Sequence, residues 1–178
     1  MPHEVRVWSI GHSTHSLEAF VELLKSQGIE NLVDIRTVPK SRRNPQFHTD
    51  ALAVSMPERD VSYRHLPDLG GWRKTDKDSP NGGWRNDSFR GYADYTMTAG
   101  FRTGLKELLA LAGDGPTAMM CSEALWWRCH RRLVSDRLLT AGHSLFHIGS
   151  DGRITPHELT SFAVIDSAGQ ITYPPEDD

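Results

Sequence analysis

Apolar positions along the chain switch between short continuous runs and helical spacing. Val5–Ile10 is a short, largely apolar run that reads as a strand, closed by Gly11-His12-Ser13. Ser16 then suits the N-cap of an amphipathic helix. Leu17, Phe20, Val21 and Leu24 fall on one side of it, and Gly28 is a good C-terminal stop. Leu32–Ile35 is a second short strand, followed by Arg36 and Pro39. Together these residues make one strand–helix–strand unit of about 30 residues, the size of a βαβ crossover. The pattern predicts a parallel sheet covered by helices.

Pro39 to Phe47 carries Lys40, Arg42 and Arg43 beside two prolines and reads as a basic loop. Thr49–Arg59 predicts a helix bent or broken at Pro57, and Val61–Leu66 a third strand. Residues 67–91 form a long polar stretch punctuated by Gly70-Gly71 and Pro80-Asn81-Gly82-Gly83. It reads as an irregular insertion, and loops of this length inside a domain are often functional. Trp72, Trp84, Phe89 and Tyr92 are expected to pack it down. Phe101–Ala112 is a helix with Leu105, Leu108, Leu109 and Ala112 on one side. Thr117–Met120 is a fourth strand, Cys129–Ala141 a helix and Ser144–Ile148 a fifth strand. The tail, about 149–178, is irregular, with a strand pair near Phe162–Ile165 and Gln170–Tyr173. The whole is one α/β domain over residues 1–178, with a mainly parallel sheet of about five strands flanked by helices.

Length and charge narrow the function classes. A chain of 178 residues with a formal charge of −3 is long enough for a core without disulfide staples and is not a strongly basic nucleic-acid coat. No apolar run approaches the roughly 20 residues of a membrane span, and the first residues do not read as a secretion signal. A cytoplasmic protein without membrane partners is expected. Its two cysteines, Cys121 and Cys129, are then expected as reduced thiols rather than a disulfide.

Ligands of open α/β sheets bind beyond the carboxyl ends of the strands. His12 and Ser13 follow the first strand, and Asp34 and Arg36 close the second. His65 lies in the third, Cys121 and Glu123 follow the fourth, and His147 lies in the fifth. If the strands are parallel, these side chains converge on one rim. Cys121 to Arg131 is the densest segment. With Cys129 opening a helix, the helix dipole and Arg128, His130 and Arg131 would favour a thiolate and attract an anion. Glu123 is the candidate general acid or base, and it is expected to pair with a basic side chain. Asp34 and Arg36 suit a buried ion pair. Lys40, Arg42 and Arg43 suit phosphate contacts, against the plain alternative of a solvated turn. Tyr92 and Tyr95 could lean over a flat ligand or belong to the core. Cys121, Cys129, His130 and a further histidine would be an acceptable zinc set. The spacing is neither CxxC nor HExxH, however, so no metal is assigned and no cofactor is specified.

Taken together, the motifs resemble the bacterial family called domain of unknown function 488. The matching blocks are Ile10-Gly-His-Ser-Thr14, Leu32-Val-Asp-Ile-Arg36, Pro39 with Ser41-Arg42, Tyr63-Arg-His65, Leu69-Gly-Gly71, Phe89-Arg-Gly-Tyr-Ala-Asp-Tyr95, Met120-Cys-Ser-Glu123 and Cys129-His-Arg131. His157-Glu-Leu-Thr160 and Ile171-Thr-Tyr-Pro174 complete it. Two departures are Trp126, where relatives often carry proline, and Thr96, where methionine is usual. The resemblance implies a fold and a shared polar constellation, with no reaction attached.

Three functions fit these residues. The first is an enzyme acting on a phosphate-bearing substrate such as a nucleotide or nucleic acid. Its catalytic candidates are Glu123, Cys129, His130, His12 and Asp34, and its substrate-binding candidates are Arg36, Arg42, Arg43, His65, Tyr92 and Arg131. The second is a non-catalytic module binding the same ligands through phosphate contacts and stacking. The third is a thiol redox protein built on Cys121 and Cys129.

Overall fold

In the computed structural model, which describes residues 3–176, the elements follow the expected alternation. They are β1 (Arg6–Gly11), α1 (Leu17–Ser26), β2 (Asn31–Asp34), α2 (Thr49–Ser55), β3 (Ser62–His65), α3 (Asp87–Tyr95), α4 (Ala99–Asp114), β4 (Thr117–Cys121), α5 (Arg131–Thr140), β5 (Ser144–Ile148) and β6 (Ile154–Pro156), then the two-residue strands β7 (Val164–Ile165) and β8 (Ile171–Thr172). Ser16 starts α1 as its sequence position suggests, its hydroxyl accepting the Ala19 N–H at 3.1 Å. The segment after Thr49 bends at Pro57, α2 giving way to a 3₁₀ turn over Pro57–Arg59.

The main sheet has the order β3-β2-β4-β1-β5-β6. β1 to β5 are parallel, and β6 runs antiparallel against β5. The α/β class and mainly parallel sheet expected from the pattern are therefore present, with one strand more. β6 is three residues long and ends in Pro156, a residue confined to sheet edges because it donates no ladder bond. Its pattern is too short to stand out.

Alternation along the strands splits the core in two. Ile10, Leu32, Ala118 and Met120 meet Phe20 and Leu24 of α1 and Leu52 of α2. Val7, Val33, Met119 and Leu145 face Tyr92, Phe101, Leu108, Leu133 and Leu138 of α3 to α5. Two features differ from the expected organisation. The irregular insertion ends earlier, because Asn86 caps α3 by accepting the N–H groups of Ser88 and Phe89. The last helix begins later: α5 starts at Arg131, because Trp126–Arg128 is a separate 3₁₀ turn and Cys129 is extended, with φ −120° and ψ 152°.

β2, β4 and β1 are adjacent, with Asp34 opposite Met120 and Cys121 opposite Gly11. Their carboxyl ends share one rim. The chain after β4 crosses directly over the end of β1, and a Cβ at Gly11 would lie 1.9 Å from the carbonyl oxygen of Glu123. Only glycine permits that crossing.

Candidate functional site

A cavity of about 510 Å³ opens over this rim. Cys121, Cys129, His130, His12 and Arg36 line its inner part. Tyr92, Phe89 and Trp72 contribute aromatic walls, and Lys40, Ser41, Glu123 and Arg128 complete it. Trp72 is 81% exposed and holds a left-handed backbone, φ 59°, which a bulky residue seldom adopts.

Cys129 sits two residues before α5, and its sulfur accepts the first helical N–H, that of Arg131, at 3.4 Å. The thiol thus occupies the place of a capping acceptor at a helix N-terminus, where negative charge is favoured. His130 Nδ1 lies 3.5 Å from the same sulfur. Its Nε2–H donates to the Ile35 carbonyl at 2.8 Å, which fixes the ring and turns Nδ1 toward the thiol. Burial opposes ionisation of Cys129. The neighbouring Cys121 thiol, the His130 ring and the Arg131 guanidinium outweigh it and hold Cys129 well below the usual thiol range. Burial also opposes protonation of His130, but the Cys129 thiolate and the Ile35 carbonyl shift its pKa upward. Each group thus favours the charged form of the other. Cys121 behaves oppositely: burial and the facing Cys129 sulfur push it well above the usual range. Both cysteines are free.

Arg36 and Asp34 form the buried ion pair. Asp34 accepts Arg36 Nε at 2.8 Å, Nη2 at 2.7 Å and the Arg36 backbone N–H at 3.1 Å, together with the Tyr63 hydroxyl at 2.6 Å. Its carboxylate is fully engaged and lies behind the cavity wall. Arg36 Nη1 donates to His12 Nε2 at 3.2 Å, and His12 Nδ1–H donates to the Ser13 carbonyl at 2.8 Å. Burial lowers the His12 pKa to about 4, so the ring is neutral at pH 7. It stacks on Phe47 with ring centroids 4.4 Å apart.

Several candidates lie elsewhere than the sequence suggests. Glu123 lines the cavity, but its carboxylate accepts the Leu125 N–H at 3.1 Å, and no ion pair to it forms among the described residues. The expected pairing with a basic side chain is corrected: Arg131 reaches the backbone carbonyl of Glu123 instead, at 2.6 Å. The backbone turn over the end of β1 takes the guanidinium, so the carboxylate need not. Arg131 is itself fully buried beneath the sulfurs rather than on the cavity wall. Arg42 and Arg43 are exposed and do not line the cavity. His65 does not face the cavity: its Nε2–H donates to the Arg36 carbonyl at 2.6 Å and braces Arg36 from behind. Tyr92 lines the cavity, its ring edge on His130 and its hydroxyl donating to the Leu69 carbonyl at 2.8 Å. His147 is not at the rim. It pairs with Ser9 inside the sheet and points under α5. Among the described residues, no group of three or more His, Cys, Asp or Glu is arranged to hold a metal ion.

Phe47, which the sequence pattern did not mark as a site residue, also shapes the site, and the two family departures have definite contacts. Phe47 stacks on His12, and its carbonyl accepts Arg36 Nη2 at 2.6 Å. Trp126, the departure from the family proline, lies flat on His147 with centroids 4.2 Å apart. Thr96 replaces the usual methionine with a hydroxyl that donates to the Ala93 carbonyl and accepts from Arg137.

The model of the family described as Domain of unknown function DUF488 matches residues 16–138, and the chain belongs to that family. No curated protein and no solved structure matches it.

Proposed function

We propose that the protein is an enzyme acting on a phosphate-bearing substrate, a nucleotide or nucleic acid, with Cys129 as its nucleophile. One observation carries this reading. Cys129 faces a cavity with its sulfur held between His130 Nδ1 and the Arg131 N–H, in a pocket whose lining includes the exposed cations Lys40 and Arg128 together with the Glu123 carboxylate. A buried thiolate needs positive partners, and here they also turn toward a space a ligand can fill. An activated cysteine beside an imidazolium is the usual arrangement for nucleophilic catalysis. Glu123, partly buried on the same wall, is the group that moves a proton on the substrate side. Phe89, Tyr92 and Trp72 offer faces for a base. A reducing cytoplasm keeps both thiols available.

The test is a panel of nucleotides and oligonucleotides assayed for turnover, with and without divalent metal, on the parent, Cys129→Ser and Glu123→Gln. Turnover lost in Cys129→Ser supports the reading. Ligand binding that is unchanged in Glu123→Gln and Cys129→Ala, with no turnover of any panel member, replaces it with the non-catalytic module.

The facing thiols favour a second reading, a redox role. Cys129 would be the attacking thiolate and Cys121, which keeps its proton, the resolving thiol. Mass spectrometry after mild oxidation decides it: an intramolecular bond supports a redox role, and two alkylatable thiols exclude it.

A further inference from the structure

A second cluster of polar side chains lies under α5, outside the cavity, and all of its members are buried. Asp136, fully enclosed, accepts His157 Nε2 at 2.8 Å, the Thr160 N–H at 3.1 Å and the Tyr173 hydroxyl at 2.7 Å. His157 Nδ1 is 2.8 Å from His147 Nε2. His147 Nδ1 is 2.5 Å from Ser9 Oγ. Ser9 Oγ is 3.2 Å from Arg131 Nη1.

The protons in this series have one arrangement that satisfies every member. Arg131 has only donors, so Ser9 Oγ accepts from it. The Ser9 proton then goes to His147 Nδ1. The His147 ring, whose pKa burial pushes down to about 2, is neutral and carries its proton on Nε2. That proton is donated to His157 Nδ1, which leaves the His157 proton on Nε2, facing Asp136. Counting from the carboxylate end, which only accepts, gives the same result. All donors therefore point from Arg131 toward Asp136.

Arg131 stands between this series and the thiols. Nη1 goes to Ser9, Nη2 goes to the Glu123 carbonyl, and Nε is buried with no hydrogen-bond partner. The guanidinium lies beside the sulfurs of Cys121 and Cys129. We infer that Ser9, His147, His157 and Asp136 form a positioning series that holds Arg131 beneath the Cys129 sulfur and so sets how readily that thiol ionises. The series belongs to the thiol site although none of its members touches the cavity. The inference rests on the reading of Cys129 as the reacting group, but its test needs no substrate.

The groups facing Cys129 are Cys121 from β4, His130 just before α5, Arg131 at the start of α5, and Tyr92 from α3. Of these, only Arg131 is held by the series. The experiment is alkylation of the full chain by iodoacetamide across pH, with Cys129 assigned by peptide mass. In Ser9→Ala the midpoint rises by about one pH unit, a rate loss of about tenfold on the acid side, with the alkaline plateau unchanged. Arg131→Gln shifts it further, and adding Ser9→Ala to Arg131→Gln changes nothing more, because the hydroxyl acts through the guanidinium. Val134→Ala, a packing loss in the same helix, leaves the midpoint where it is. A Ser9→Ala midpoint equal to the parent's, an additive double variant, or an equal shift in Val134→Ala overturns the inference. Should Ser9→Ala fail to fold, nitrogen-15 spectra of the parent's histidines decide. His147 and His157 protonated on Nε2 alone support it, and a proton on His147 Nδ1 refutes it. Turnover failing while the midpoint shifts as stated would sink the proposed enzyme and leave this inference standing.

Discussion

Removal of the Asp34 carboxylate should be among the most damaging single changes to this protein. Asp34 is fully enclosed, and the Arg36 side chain is 8% exposed. Four donors converge on the carboxylate, three from Arg36 and one from Tyr63. In Asp34→Ala the guanidinium stays buried against the Phe47 carbonyl and His12 without a counter-charge. Breaking a buried pair from one side costs about 3–5 kcal/mol. With a urea dependence of about 2 kcal/mol per molar for a domain of this size, the midpoint should fall by about 2 M. Asp34→Asn keeps the shape and loses the charge, so it should lie between Asp34→Ala and Tyr63→Phe. Tyr63→Phe removes one bond to a charged acceptor and should cost about 1.5–3 kcal/mol. The exposed pair of Arg153 and Asp151, at 3.3 Å, is the internal comparison, and Asp151→Ala should leave the midpoint nearly unchanged. The measurement is equilibrium urea unfolding followed by tryptophan fluorescence and circular dichroism together. A loss below about 1 kcal/mol in Asp34→Ala would refute the reasoning, because an uncompensated guanidinium in the interior cannot cost so little.

Other outcomes follow from the same geometry. Gly11→Ala should lose at least about 3 kcal/mol in the same urea assay, since its Cβ would meet backbone atoms of Glu123 and Ala124 that no side chain can yield for. Gly113→Ala, near the end of α4 with open space around the added methyl, should instead be neutral or stabilising by up to about 1 kcal/mol. Acid should weaken the fold through two histidines. His12 and His147 are held neutral with pKa values of about 4 and about 2, so the unfolded chain takes up their protons as pH falls below about 6.5 while the folded chain does not. Their contribution is complete above that pH. Below it, loss approaches about 2.7 kcal/mol per pH unit down to about 4, where His12 also titrates in the folded state, and His147 alone continues below that. A pH series of urea midpoints checks this, and His12→Gln should reduce the slope between pH 6 and 4.5.

The sheet was legible because a parallel strand buried on both faces leaves a short apolar run, and four of the five runs carry few polar interruptions. The polar rim was legible for a related reason: a carboxylate or imidazole at the end of such a run has few places to go but the strand ends. What escaped detection depends on partners distant in sequence. Arg131 reads as a surface cation at a helix start, yet Ser9, 122 positions away, and the Glu123 carbonyl draw it inside. His147 sits near the end of a strand by position, but strand alternation sends it to the α5 face. Its partner His157 lies in a stretch of the tail that the pattern assigns to no element, ahead of the expected strand pair. Helix α3 was hidden because its residues, Asp87 to Tyr95, mix glycine, arginine and aromatics without a clean apolar stripe. Asn86 before Ser88 and Phe89 was the signal that could have marked its start.

The two buried arginines show what such a fold can do with one kind of side chain. Arg36 is paired directly and bidentately with Asp34, and it is further occupied by the Phe47 carbonyl and His12. Most of its field is spent within the pair, which makes it a clamp that fixes the loop after β2. Arg131 has no carboxylate beside it among the described residues. Its counter-charge, Asp136, stands at the far end of a hydroxyl and two imidazoles. Oriented dipoles lower the cost of burying the guanidinium without cancelling its charge, because the Coulomb term falls with distance while each hydrogen bond is kept. A direct salt bridge to Arg131 would have been cheaper in parts and would have silenced it. With the carboxylate held at a distance, the positive field is directed at the nearest polarisable acceptors, the two sulfurs. On this reading, moving a carboxylate next to Arg131, as in Ser9→Asp, would raise the Cys129 midpoint more than Ser9→Ala does, although it adds a hydrogen-bond acceptor. A midpoint lower than that of Ser9→Ala would show that bond count, rather than charge, governs the thiol.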